Sequence, residues 1–234
     1  MVRLVLFDID GTLIHSGGAG VAAFGRAFAA EFGLERATEG TRFAGRTDGA
    51  LVREIFHRAG LAATPQNFQR FFDRYVFLLD HILGERRGDI CPGVRELIAA
   101  LRAQTPAPVL GLLTGNIRLG AEIKLRHFGL WEEFTFGGFA DDHEERNQIA
   151  VKARERGHRH FGRTLAGEEI VVIGDTEHDI RCGRAIGARV LAVATGGETL
   201  DQLRPHRPDW LVRDLREISA QELCGAAPRG ASAA

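Results

Sequence analysis

Two carboxylates stand two residues apart at the end of an apolar run: Val2-Arg-Leu-Val-Leu-Phe7 leads into Asp8-Ile-Asp10-Gly-Thr12. On an extended segment, side chains at i and i+2 project the same way, so Asp8 and Asp10 can face one reacting centre. One can attack as a nucleophile while the other moves a proton. Two acids this close repel each other, and a divalent cation that prefers hard oxygen ligands, Mg²⁺, is their natural neutraliser. As plain structure the arrangement is costly, because charge beside a core must be compensated. Gly11 lets the chain turn away sharply behind the pair.

The element that must position these acids is a strand. Val2 to Phe7 is too short for a helix and long enough for a buried parallel strand. In open α/β sheets, ligands bind at the carboxyl ends of the strands. The same device recurs twice. Val109 to Leu113 reads as a buried strand ending in Thr114-Gly115-Asn116, with a helix from about Ile117. A hydroxyl at a strand end, followed by a helix N-terminus, aims donors at an anion. Glu169 to Ile173 leads into Gly174-Asp175, with Asp179 four residues on and His178, a bystander, between them. Trp131–Phe136, Arg189–Ala194 and Asp209–Val212 read as further strands. A helix follows Pro92 over Val94–Arg102, and Asp214 is placed to cap the final helix.

Between the first strand and Asp89 no convincing strand appears. His15-Ser-Gly-Gly-Ala-Gly20 reads as a hinge. Three helical stretches follow: Val21 to Phe32 with Gly33 as C-cap, about Asp48 to Ala59, and Pro65 to Leu83. Their aromatic residues read as the core of a small inserted bundle. Within it, Gly45-Arg46-Thr47-Asp48 joins two helices. Thr47 or Asp48 can cap the next helix. Arg46 is either a surface charge or a forked donor for a substrate carboxylate or phosphate.

Asp8-Ile-Asp-Gly-Thr-Leu13 resembles the first motif of the haloacid dehalogenase (HAD) superfamily of phosphohydrolases. Thr114 at its strand end resembles the second motif, and Gly174-Asp175 with Asp179 the fourth. The third motif departs from the usual pattern, which offers a Lys often followed by Pro. No Lys-Pro exists here. Arg146, opening the helix after Asp141-Asp-His-Glu-Glu145, is the first candidate for the missing charge, Lys124 the second and Lys152 the third. The acids around positions 141–145 read as a solvated loop and helix start.

The resemblance covers nearly the whole chain and is nearest to a phosphoglycolate phosphatase-like branch with a helical cap. It implies a doubly wound, mainly parallel α/β sheet with an inserted α-helical cap domain: core at 1–14 and 91–224, cap at 15–90, and a disordered tail at 225–234. It further implies a Mg²⁺-dependent phosphomonoester hydrolase for a small phosphorylated metabolite. Asp8 would be the nucleophile and Asp10 the acid-base. Thr114 and Arg146 or Lys124 would bind the phosphoryl oxygens, and Gly115, Asn116 and Arg46 would contribute to substrate binding. Asp8, the Asp10 backbone carbonyl and Asp175 would hold the metal, with Asp179 behind them.

Composition sets the limits. The chain has 234 residues with a formal net charge of -1, so nothing global points to nucleic acid or membranes. Cys91, Cys182 and Cys224 lack metal-ligand spacing and suit a reducing compartment. With no leader or spanning segment visible, the expected location is the cytoplasm. A monomer and a homodimer are both open. So is a phosphosugar mutase, which shares all four motifs and returns the phosphoryl group to a sugar. A non-enzymatic phosphoacceptor has no use for a cap, and a dehalogenase has no proton for Asp10 to move.

Overall fold

The computed structural model describes residues 1–225. The expected disordered tail lies outside them, apart from Gly225. Six strands form one sheet in the order β5-β4-β1-β6-β7-β8, every neighbouring pair parallel. They are β1 (Leu4–Phe7), β4 (Val109–Leu113), β5 (Phe136–Gly138), β6 (Ile170–Gly174), β7 (Arg189–Val193) and β8 (Trp210–Val212). Strand β1 lies between β4 and β6, and all four of its residues are buried. A strand covered on both faces has no polar side to show, which is why Leu4-Val-Leu-Phe7 is uniformly apolar.

Helices cover both faces. They include α4 (Val94–Arg102), α5 (Arg118–His127), α6 (Arg146–Phe161), α7 (Glu177–Ala185), the short α8 (Leu200–Leu203) and α9 (Ala220–Cys224). One apolar cluster sets Val5, Phe7, Leu112 and Ile173 against the α4 side. Another sets Leu4, Leu6, Val172 and Ile149 against the α6 side. Alternate residues of the same strands serve opposite faces, as the pleat requires.

Between β1 and α4 the chain inserts α1 (Ala19–Phe32), α2 (Asp48–Arg58) and α3 (Pro65–Glu85). Gly33 closes α1 in the left-handed region, and Thr47 and Thr64 cap α2 and α3 through their hydroxyls. Phe24, Phe28, Phe56, Phe71 and Tyr75 are buried in this bundle. Phe24 meets Phe71 edge-on at 4.9 Å, and Phe28 meets Phe56 at 5.6 Å. These aromatics are core, as the sequence suggested.

Four details differ from the sequence reading. The insertion is entered and left through an antiparallel ribbon, β2 (Ile14–His15) with β3 (Asp89–Ile90), too short to carry a pattern. Trp131–Phe136 is not one strand: Trp131–Glu133 is a 3₁₀ turn, and pairing begins at Phe136. Asp214 caps the 3₁₀ turn Leu215–Glu217, while Ser219 caps the final helix. Several acids of the 141–145 loop are paired: Asp142 with Arg156, and Glu144 with Arg53.

Candidate active site

Asp8 follows the last residue of β1 and is buried. Its neighbours arrive from distant parts of the chain. Asp175 follows β6, Thr114 follows β4, and Arg146 opens α6, so the three central strands and one helix start converge. One Arg146 nitrogen donates to Asp8 Oδ1 at 2.6 Å and to Asp179 Oδ1 at 2.5 Å. Of the three cations weighed for the nucleophile, Arg146 is the one that reaches it. Its Nε–H is buried and has no hydrogen-bond partner.

Lys124 is buried too, but it serves the other acid. Its ammonium donates to both Asp10 oxygens, at 2.9 and 2.7 Å, and to Asn116 Oδ1 at 2.6 Å. Asn116 in turn donates from Nδ2 to Asp10 Oδ2 and to Thr114 Oγ1, both at 2.8 Å. Each acid of the Asp8-x-Asp10 pair therefore has its own cation. Lys152 lies on the surface, paired with Glu155.

Burial dominates the electrostatics. It pushes the Asp8 carboxyl up to about 7, although Arg146 pulls it down; Asp179 and Asp10 add to the rise. Asp175 is raised as well, first by burial, then by Asp179 and Asp8. Burial also works to raise Asp10, but Lys124 and Asn116 outweigh it and hold that carboxyl below its ordinary range. The Asp10 side chain remains 42 % exposed, open to the cavity above.

Carboxylate oxygens of Asp8, Asp175 and Asp179 lie within 4.8 Å of one another. An all-oxygen, acid-rich cluster of buried groups suits a hard divalent cation, and the raised Asp8 and Asp175 carboxyls record the burial and mutual repulsion of negative charge that it would relieve. The Asp10 carboxylate is not in this cluster, since it faces Lys124. That leaves its backbone carbonyl as the atom expected to serve a metal. Asp179, expected behind the ligands, stands within the cluster while also bound to Arg146 and to the Thr176 hydroxyl at 2.7 Å.

Glycines make this crowding possible. Gly11 has φ +88°, and a Cβ there would lie 2.6 Å from Asp175 Oδ2. A Cβ on Gly174 would overlap the Asp179 carboxyl. The Gly-Asp pair at the end of β6 is thus a packing requirement as well as a motif.

The inserted helices close over the strand ends. The Asp48 amide donates to the Gly115 carbonyl at 2.7 Å, and Asp48 Oδ2 accepts from the Ile117 amide at 2.8 Å. Thr47 donates its hydroxyl to the Glu144 carbonyl at 2.7 Å. Gly115 packs directly under the Arg46 carbonyl with no room for a side chain. Arg46 lines the cavity, but its guanidinium turns to Glu54 at 2.5 Å. Sequence reasoning missed three participants. Thr12 donates to Asp175 at 3.1 Å, Gly196 packs against Asp175, and Asp48 is a buried acid on the cavity wall, which burial raises to about 7. Thr12 lay within the first motif. Gly196 and Asp48 carried no signal beyond turn and cap chemistry.

The haloacid dehalogenase-like hydrolase family model matches residues 5–184. The chain belongs to that family. Among curated relatives, "Probable phosphatase IndB" of Dickeya dadantii is 27% identical, over 93% of this chain and 92% of its own length. Pyrophosphatase PpaX of Halalkalibacterium halodurans is 25% identical, over 93% and 95%. The solved structure of CbbY from Rhodobacter sphaeroides in complex with phosphate superposes with a TM-score of 0.69 at 20% identity, covering 93% of this chain and 96% of that one. These likenesses put this HAD-type chain in the phosphatase branch and identify it as an enzyme. Among the described residues, no helix is long and apolar enough to cross a membrane.

Proposed function

We propose that this HAD hydrolase is a Mg²⁺-dependent phosphomonoesterase for a small phosphorylated metabolite, working through an aspartyl phosphate on Asp8. The carrying observation is the pairing of two acids with two separate cations, Asp8 with Arg146 and Asp10 with Lys124. A single binding carboxylate would need one cation. A nucleophile and a proton carrier need to be held in different charge environments.

Asp8 attacks phosphorus in line, and the ester P–O bond breaks as the aspartyl P–O bond forms. Asp10 delivers a proton to the departing alkoxide. It then takes a proton from water, which attacks phosphorus, splits the acyl phosphate and frees inorganic phosphate. Thr114 and Arg146, which line the cavity, are donors for the phosphoryl oxygens. Mg²⁺, held by Asp8, Asp175 and the Asp10 carbonyl, would neutralise charge on the transferring group. The cap loop at 45–48, hydrogen-bonded to the strand ends, keeps bulk water from the site. The cytoplasm suits such a substrate.

The test is phosphate release from a panel of small phosphomonoesters, with Mg²⁺ or with EDTA, alongside Asp8→Asn. Release that needs Mg²⁺ and disappears in Asp8→Asn supports the reading. Transfer of the phosphoryl group within or between sugars, with no net release, would instead support a mutase. No turnover of any ester would remove both.

A further inference from the structure

The cavity above Asp8 and Asp10 has a volume of about 440 Å³, in the range of small-molecule sites. Its two ends differ in chemistry. The floor holds the carboxylates, Thr114, Arg146 and Lys124. The wall facing them is built by Val21, Phe24, Phe43, Leu51 and Tyr75. Phe24, Leu51 and Tyr75 are buried, and Phe24 and Phe43 meet edge-on at 5.3 Å with planes 88° apart, which presents an ordered aromatic surface.

The charge inventory of this cavity is one-sided. Among the described residues that line it, the fixed cations are Arg46, Lys124 and Arg146. Each already faces a carboxylate: Glu54, Asp10, and Asp8 with Asp179. Asp10 and Asp48 face the same space. The remaining basic group on the wall is the imidazole of His15 in the exposed ribbon. A second anionic group on the substrate would have to draw Arg46 from Glu54, or Lys124 from Asp10. The second exchange would strip the proton carrier of its partner. Left unmatched, that group would be desolvated beside the Asp10 carboxylate and the buried Asp48 carboxyl.

We propose that the substrate is the phosphomonoester of an uncharged alcohol with an aromatic or branched aliphatic body, which lies against Val21, Phe24, Phe43 and Leu51. A leaving group bearing a carboxylate or a second phosphate is disfavoured. This rests on the hydrolase reading above and extends it to the leaving group. Phosphoglycolate and pyrophosphate are then poor substrates, although PpaX, a relative, is named a pyrophosphatase.

A matched pair of esters separates the two claims. Benzyl phosphate and 4-carboxybenzyl phosphate present the same ring and ester and differ by one carboxylate. The expected kcat/KM ratio favours benzyl phosphate by at least about tenfold, with phosphoglycolate and pyrophosphate below it. In Val21→Lys, at a position 42% exposed, the ratio should shift toward the carboxylated ester. Equal or preferred turnover of 4-carboxybenzyl phosphate or phosphoglycolate by the unaltered enzyme would overturn the leaving-group inference and leave the hydrolase reading standing. A ratio unmoved in Val21→Lys would remove this wall as the leaving-group subsite. No hydrolysis of any ester, charged or neutral, would sink the hydrolase reading itself.

Discussion

The Arg146 guanidinium lies 2.6 Å from the Asp8 carboxylate, 138 positions earlier in the chain, and the same nitrogen reaches Asp179. One buried cation thus joins the first and fourth motifs. Arg146→Ala leaves two buried carboxylates facing each other. Breaking such a pair costs about 3–5 kcal/mol, so the urea midpoint should fall and phosphate release should be lost. Arg146→Lys keeps a charge but offers a point donor without the fork. It should fold close to normally and retain some turnover. If Arg146→Ala matched the unaltered protein in both measurements, the guanidinium would not be what compensates these acids.

Metal binding should appear as stability. Mg²⁺ that binds only the folded state adds about 2.7 kcal/mol at a hundredfold excess over Kd. The thermal midpoint of the unaltered protein should therefore rise with Mg²⁺ and return with EDTA. Gly196→Ala places a methyl group against the Asp175 carboxylate and should weaken this response. A full Mg²⁺ response in both Gly196→Ala and Asp175→Asn would move the metal elsewhere.

Lys124 should tune the proton carrier. With Lys124 in place, Asp10 is held below its ordinary range against the opposing pull of burial. Lys124→Met removes the main opponent of burial and leaves only Asn116 and Arg146 against it, so the Asp10 pKa rises. The limb of the kcat/KM pH profile that reports Asp10 should move to higher pH, with lower activity overall as Asp10 and Asn116 lose their anchor. A profile that scales down without moving would show that Asp10 is not the group titrating.

Asp48 should make stability fall with pH. Its folded-state pKa is raised by burial to about 7 against an ordinary 3.8. Between those values the folded state holds a proton that the unfolded state has lost. Its contribution is therefore fully present below about pH 4 and is lost as pH rises through about 7, a swing of up to roughly 4 kcal/mol. Asp48→Asn keeps an oxygen for the Ile117 amide and removes the charge. The variant should melt higher than the unaltered protein at pH 8 and lose part of the pH slope. Identical slopes in the two proteins would rule out this linkage.

Much of this protein was legible in one dimension. Asp8, Asp10, Thr114 and Asp175 each sit at the end of an apolar run, and a parallel sheet brings such ends to one edge, so the run and the acid together locate the residue. The helices of the insertion announced themselves by aromatic spacing and by Thr47 and Gly33 at their ends, while the Thr64 cap of α3 came only with the structure. Local signals suffice wherever the cause is local. Which cation serves which acid was decided only in three dimensions. Lys124 and Arg146 are both plausible partners for Asp8 by distance along the chain. Their assignment depends on which way α5 and α6 present one side chain each. Asp48 reads as a helix cap because caps are local, yet Thr47 makes the cap and Asp48 turns to the Ile117 amide across the interface. The cavity wall joins Val21, Phe43 and Tyr75 from separate segments. Its charge balance is a sum over neighbours that no stretch of sequence contains. Chemistry confined to a strand end was written in the order of residues. Chemistry that depends on who faces whom waited for the chain to pack.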